Sequence, residues 1–242
     1  MREGDLMPMK PQVYIDPRPA EYFDRFHARA RTREPDWVYP LIKAVSSPYC
    51  RLLYRLRVQE IGRVPRQGPV ILAPNHFSTM DHWFVGVLLP RQVRFMAKSQ
   101  LFRNPLFDFV LSHVGAFPVR RGHHDEESMI TATTVLARGG VLVMYIEGGR
   151  SRSGQIGSKA KPGVGRLALQ TGAPIVPVAI HGSERARNWK RLEFPAVTVR
   201  YGEPLRFGSE PEPSRERQQH VADETLARVR ALHAELSASL AR

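Results

Sequence analysis

One cysteine, Cys50, occurs in the 242 residues of the chain. That scarcity excludes an intramolecular disulfide and a multi-cysteine zinc site, and it suits a reducing compartment. Long apolar runs are missing as well. Lys43, Arg51, Arg55 and Arg57 interrupt the best candidate, so nothing approaches the roughly 18 apolar residues that a bilayer span requires, and any membrane contact is expected to be peripheral. The opening MREGDLMPMKPQ has neither the basic segment nor the apolar core of a secretory signal, so export is not expected. Neither H-E-x-x-H nor a Walker A loop occurs, and no internal repeat is visible. Acidic residues are outnumbered 23 to 36 by lysine and arginine, a formal net charge of +13. The field of such a molecule favours polyanions, which include nucleic acid, anionic lipid surfaces and phosphorylated or acidic-carrier substrates.

What is present is a core-forming sequence of 42% hydrophobic residues, enough for one catalytic-size domain with a small helical appendage. Residues 1–36 are rich in proline, arginine and acids and read as a mobile N-terminal arm with a short helix at 19–31. Residues 37–57 mix Trp37, Tyr39, Leu41, Ile42, Val45, Leu52, Leu53 and Leu56 with the four basic residues named above. This amphipathic helical segment, expected to be broken by Pro40 and Pro48, suits either a headgroup layer or packing on the core with a solvated basic face. Residues 58–210 alternate strand and helix patterns. Strands are expected at 57–64, 69–73, 93–97, 116–119, 141–146 and 175–180, with an edge strand at 197–201. Helices are expected at 81–89, 106–113, 125–138 and 163–171. The fold class is therefore α/β, a mixed and largely parallel sheet covered by helices. Residues 211–242 add a C-terminal helix with Val229, Leu232, Leu236 and Leu240 on one face.

Two stretches carry chemistry, and both follow apolar strands. In Asn75-His76-Phe77-Ser78-Thr79-Met80-Asp81 the histidine and aspartate are five residues apart. On a continuous helix that spacing separates them by about 140°, so His76 must precede the helix. Ser78 to Asp81 has the S-x-x-D form of a capping box, which places the helix start there and lets Asp81 reach back to the imidazole. A carboxylate on one ring nitrogen leaves the other free as a base. The plain alternative is a helix cap beside a polar loop histidine; metal binding by His76, Asp81 and His82 has no accompanying ligand set. The second stretch is Tyr145-Ile146-Glu147-Gly148-Gly149-Arg150-Ser151. Its glycines permit a tight turn with exposed amides, and Arg150 offers a planar fork for phosphate oxygens. Arg152, Lys159 and Lys161 extend the basic loop. A third segment ends in Arg120-Arg121, and two prolines, Pro174 and Pro177, mark 175–180 as an edge or bulged strand near a cleft.

In this order the four blocks resemble the glycerolipid acyltransferase family of the 1-acylglycerol-3-phosphate O-acyltransferase (lysophosphatidate acyltransferase) type, over roughly residues 57–205. Asn75, His76 and Asp81 match the N-H-x-x-x-x-D block, Phe117 and Arg121 the second block, Glu147, Gly148, Arg150 and Ser151 the third, and Pro177 the fourth. Ile146 stands where the family usually has proline, Gly149 where it has threonine, and Arg120 where an acid is common.

The resemblance implies transfer of a fatty acyl group from an acyl-CoA or acyl-carrier-protein thioester to a lysophospholipid hydroxyl, most readily that of 1-acylglycerol-3-phosphate, giving phosphatidic acid. His76 and Asp81 would be catalytic; Arg121, Glu147, Gly148, Arg150 and Ser151 would bind substrate; neither metal nor cofactor would be needed. The partners implied are an anionic lysophospholipid acceptor, an acyl thioester donor and the cytoplasmic face of a membrane, with no nucleic acid. Two rivals use the same residues differently: a thioester or phosphoester hydrolase built on the His-Asp pair, and a basic nucleic-acid-binding module.

Overall fold

The computed structural model describes Leu6, Met9, residues 15–123 and residues 125–241; what the sequence suggests for the remainder of the first fourteen residues lies outside that set. The elements in chain order are α1 (Asp24–Thr32), α2 (Val38–Leu53), β1 (Arg57–Gln59), β2 (Val70–Pro74), α3 (Asp81–Gly86), β3 (Val93–Lys98), α4 (Pro105–His113) and β4 (Phe117–Val119). They continue with α5 (Glu126–Ala137), β5 (Val141–Val143), α6 (Gly163–Thr171), β6 (Ile175–His181), β7 (Thr198–Tyr201) and α7 (Arg215–Leu240).

The strands form one seven-stranded sheet in the order β1-β7-β6-β2-β5-β3-β4. Every neighbouring pair is parallel except β6 with β7. Both faces are covered, as parallel strands of continuous apolar sequence require. Along β2 the side chains alternate between two cores: Val70 and Leu72 join Tyr54, Phe84, Val143 and Val178, whereas Ile71 and Ala73 join Leu142, Leu167, Ile175 and Leu226. Because β2, β3, β4, β5 and β6 run the same way, their C-terminal ends lie along one edge, where open α/β sheets bind ligands.

Several expectations need correction. The strand at 197–201 is not an edge: β7 lies between β1 and β6, and the edges are β1 and β4. Nor is β6 an edge; it pairs with β2 and β7. Pro177 is tolerated inside because the register with the following chain changes by one residue there, from Val178↔Tyr201 to Ile175↔Leu205, so its missing N–H falls at a bulge. The strand at 57–64 stops at Gln59 and gives way to a 3-10 turn over Ile61–Arg63. The strand at 141–146 leaves β3 after Val143, although the Met144 and Ile146 amides still donate to the carbonyls of Leu72 and Pro74.

Nor do the prolines break α2. Pro40 occupies the first turn, where an amide has no intrahelical acceptor, and Pro48 is exposed, beside an exposed Ala44 whose carbonyl water can satisfy. The segment read as a mobile arm is packed from Asp16 onward: Asp16 is buried, Arg18 donates to the Ser99 and Phe102 carbonyls, and Phe23 and Phe26 are buried with Ala97, Phe102 and Ala116 against the β3-β4 edge. On α7, Val229, Leu232 and Leu236 are buried, but Leu240 is exposed at the helix end.

Candidate active site

The chain leaves β2 at Pro74 and does not enter α3 until Asp81. Asn75, fully buried, holds the exit by donating through Nδ2 to the Ile180 carbonyl (3.0 Å) and accepting the Ile180 amide on Oδ1 (2.8 Å). Its side chain thus continues the β2-β6 ladder where the backbone turns away. The helix starts later than a capping box headed by Ser78 would place it, with Met80 at the N-cap and no side-chain cap there. The box survives as the turn before the helix. Ser78 Oγ accepts the Met80 amide (3.2 Å), and Asp81 Oδ2 accepts the amides of Phe77 (2.7 Å) and Ser78 (2.8 Å).

The same Oδ2 meets His76 Nδ1 at 2.8 Å. Asp81 is fully buried and His76 is 5% exposed, so the pair lies out of bulk water. His76 Nε2 has no hydrogen-bond partner among the described residues. Burial pushes the His76 pKa below its ordinary value; Asp81 opposes that shift, and the charges of Arg150 and Arg121 reinforce it. The imidazole is therefore neutral at pH 7, with one nitrogen bonded to a carboxylate and the other unpaired, the state a general base requires.

The ring is also clamped. Tyr145 stacks on it at 3.7 Å between centroids and 17° between planes, and His82 meets both rings edge-on, at 83° to His76 and 66° to Tyr145. The Tyr145 hydroxyl is buried, with no hydrogen-bond partner among the described residues. Burial holds the His82 pKa down to about 4, with the neighbouring His76 adding to the effect.

From β5 comes the glycine loop. Gly148 has φ +70°, and a Cβ there would meet Lys161 Cγ at 2.8 Å, so the turn requires glycine. The Ser151 amide donates to the His76 carbonyl (2.8 Å), which fastens this loop to the histidine. Glu147 Oε1 accepts the Gly157 amide (2.6 Å) and so closes the loop on itself; burial raises the Glu147 pKa, against the opposing backbone amides of Gly157 and His76. Arg121, at the end of β4, and Arg150 are near enough to act electrostatically on His76.

The sequence blocks missed Lys98, which ends β3 and whose pKa falls through burial and the charges of Arg121 and Arg150. Its signal was a lysine at the tip of an apolar strand, the position shared by the other site residues. Three cations thus gather beside a neutral buried base, an arrangement that suits an anionic ligand carrying a group to be deprotonated. Among the described residues no three His, Cys, Asp or Glu side chains converge as a metal site.

The comparisons with known proteins fit this geometry. The crystal structure of the 1-acyl-sn-glycerophosphate acyltransferase PlsC from Thermotoga maritima superposes with a TM-score of 0.67 at 22% identity, covering 90% of this chain and 89% of that one. A 1-acyl-sn-glycerol-3-phosphate acyltransferase of Bacillus subtilis is 28% identical over 152 residues, 62% of this chain and 73% of that protein. A chloroplastic protein of the same name from Arabidopsis thaliana is 26% identical over 135 residues, which is 54% of this chain but only 37% of the plant protein. The family profile described as Acyltransferase matches residues 55–181, the span that holds the buried dyad and the basic glycine loop, and the chain belongs to the acyltransferase family.

Proposed function

We propose that the protein transfers a fatty acyl group from an acyl thioester to the free hydroxyl of 1-acylglycerol-3-phosphate, giving phosphatidic acid. The observation that carries this reading is the neutral, buried His76-Asp81 pair with Nε2 unpaired, set beside Lys98, Arg121 and Arg150. In the reaction, Nε2 takes the proton of the acceptor hydroxyl as its oxygen attacks the thioester carbonyl. The tetrahedral intermediate then collapses, the C–S bond breaks, and the thiolate takes the proton back from the imidazolium. Asp81 holds the ring by Nδ1 and stabilises the imidazolium charge. The Gly149 amide, which has no partner among the described residues, is a fitting donor to the oxyanion. The cations receive the acceptor phosphate, and Glu147 and Ser151 shape the loop that presents Arg150. The relatives' names supply the acceptor, and the resemblance to the family supplies the donor, an acyl-CoA or acyl-carrier-protein thioester.

The substrate is a lipid, and α2 presents a surface for it. Trp37, Leu41, Val45, Tyr49 and Leu52 follow one another at helical spacing and are 42% to 75% exposed. Leu106, Phe107 and Phe109 of α4, which packs beside α2, are exposed as well. With Arg51 and Arg55 beside the stripe, this face suits the headgroup layer of an anionic membrane. No helix among the described residues is long and apolar enough to cross one.

A labelled acyl thioester incubated with and without 1-acylglycerol-3-phosphate tests the reaction, with products identified by mass spectrometry. Phosphatidic acid is expected only when acceptor is present. Free fatty acid formed equally without acceptor would identify a hydrolase, and no thioester consumption would sink the reading. A Leu41→Glu, Leu52→Glu variant is expected to lose sedimentation with vesicles containing phosphatidylglycerol; unchanged sedimentation would remove the membrane face from the proposal.

A further inference from the structure

Arg187 lies outside every block that the sequence singles out, in the 3-10 turn over Ser183–Arg191 that follows β6. Its guanidinium is part-buried and spends its donors on backbone alone. Nε donates to the Phe77 carbonyl (2.9 Å), Nη1 to the Arg152 carbonyl (2.9 Å) and Nη2 to the Ser151 carbonyl (2.5 Å). Phe77 is the residue after the base, and Ser151 and Arg152 follow the phosphate-binding Arg150. The guanidinium therefore spans the two loops beside the backbone bond from the Ser151 amide to the His76 carbonyl (2.8 Å).

Nothing in the turn's own stability calls for an arginine here. Among the described residues no carboxylate comes within ion-pair distance of it. Burial opposes its charge, Arg150 opposes it further, and Asp81 and Glu184 compensate only from a distance. A part-buried cation that is repelled by a neighbour and bonded only to neutral carbonyls gives up solvation without an ion pair in return. Its geometry is specific, because only a planar fork with fixed donors can hold three carbonyls from two loops at once; an ammonium offers no such fork.

We infer that Arg187 is a positioning residue, whose guanidinium fixes the separation between the base His76 and the anion-binding Arg150 by stapling the His76 and Arg150 loops through their carbonyls. The inference rests on the acyl-transfer reading of the same site. It predicts that loss of the staple displaces the two groups relative to each other, and a displacement of about 1 Å costs about 10²-fold in rate.

The test measures acyl transfer to 1-acylglycerol-3-phosphate by Arg187→Ala and Arg187→Lys, together with hydrogen exchange at the Ser151 amide. Arg187→Ala is expected to lower kcat by about 10²-fold, with a smaller change in KM for the acceptor, and to speed exchange at Ser151 while the amides of β2 and β5 stay protected. Added guanidinium ion should restore part of the lost rate. Arg187→Lys, which keeps the charge and loses the fork, should fall between; it carries the test alone if Arg187→Ala does not fold.

Activity within about twofold of the parent, or lost activity with Ser151 protection unchanged, overturns the inference. An inactive parent refutes the acyl-transfer reading instead, and the inference that rests on it, whereas exchange at Ser151 still reports whether the staple exists.

Discussion

The two loops that form the site are built to opposite standards. From Asn75 to Asp81 the β2 exit is dry and internally bonded: Asn75, His76, Phe77, Ser78 and Asp81 are all at most 5% exposed, and one aspartate oxygen receives two amides and a histidine nitrogen. From Glu147 to Lys161 the β5 exit is half-buried to exposed, basic and glycine-rich, and it is held from outside by the Ser151-His76 bond, by Arg187 and by Arg230, which donates to the Gly157 carbonyl. The proposed proton transfer would require placement to within about 1 Å, and the dry, internally bonded first loop suits that requirement. Recognition of a flexible anion requires charge and adaptability, which the second provides.

Breaking the rigid loop should cost the most. His76→Ala is expected to reduce acyl transfer by about 10⁴-fold, the upper end for a lost general base, with the circular dichroism spectrum and vesicle binding unchanged. Turnover retained in that folded variant would end the assignment. Asp81→Asn should cost somewhat less, about 10³-fold, and should also move the pH profile. Asp81 is the group that lifts the His76 pKa against burial. Without its charge that pKa falls further, so the residual activity should keep its acid limb at lower pH than the parent, whose own limb already lies below the free imidazole value of about 6.5. An acid limb that stays in place or rises would show that Asp81 does not act through the imidazole.

The adaptable loop should break more gently and in a different parameter. Arg150→Ala is expected to raise KM for the phosphate-bearing acceptor by about 10- to 100-fold, the worth of a charge-assisted hydrogen bond, with a smaller loss in kcat. An unchanged KM, or an equal loss with an acceptor that lacks the phosphate, would remove Arg150 from acceptor binding and with it the contrast between the loops.

Periodicity made the layered fold legible. The uninterrupted apolar runs at 69–73 and 175–180 can be satisfied only by a sheet covered on both faces. Topology was less so, because strand order depends on which surfaces match across distant segments. Thus the prolines around β6 suggested an edge or a bulge, and the structure places the strand inside with Pro177 at a bulge. Phe23 and Phe26, surrounded by charge in sequence, gave no sign that they cover the β3-β4 end. At the site, the local pair His76 and Asp81 was legible because a break before the helix is written into seven residues. Lys98 carried only its place at the tip of an apolar strand, and Arg187 carried no local pattern, since it reaches the two loops by a long-range approach.

The smallest effect probes how the rigid loop keeps its base neutral. His82 stands against both His76 and Tyr145, its Nδ1 is 3.2 Å from the Thr79 carbonyl, and its folded pKa is about 4. In the unfolded chain a histidine takes its proton near about 6.5. Between these values the unfolded state binds more protons, so the stability that His82 contributes is fully present above about pH 6.5 and drains away as pH falls toward 4. His82→Phe keeps a ring in that place and removes the proton site. The variant should therefore lose less Tm than the parent between pH 7 and pH 4.5, by about 3 °C, while its rate at pH 7 changes only a few-fold. Equal acid sensitivity in the two proteins would mean that burial does not hold His82 neutral in the folded state.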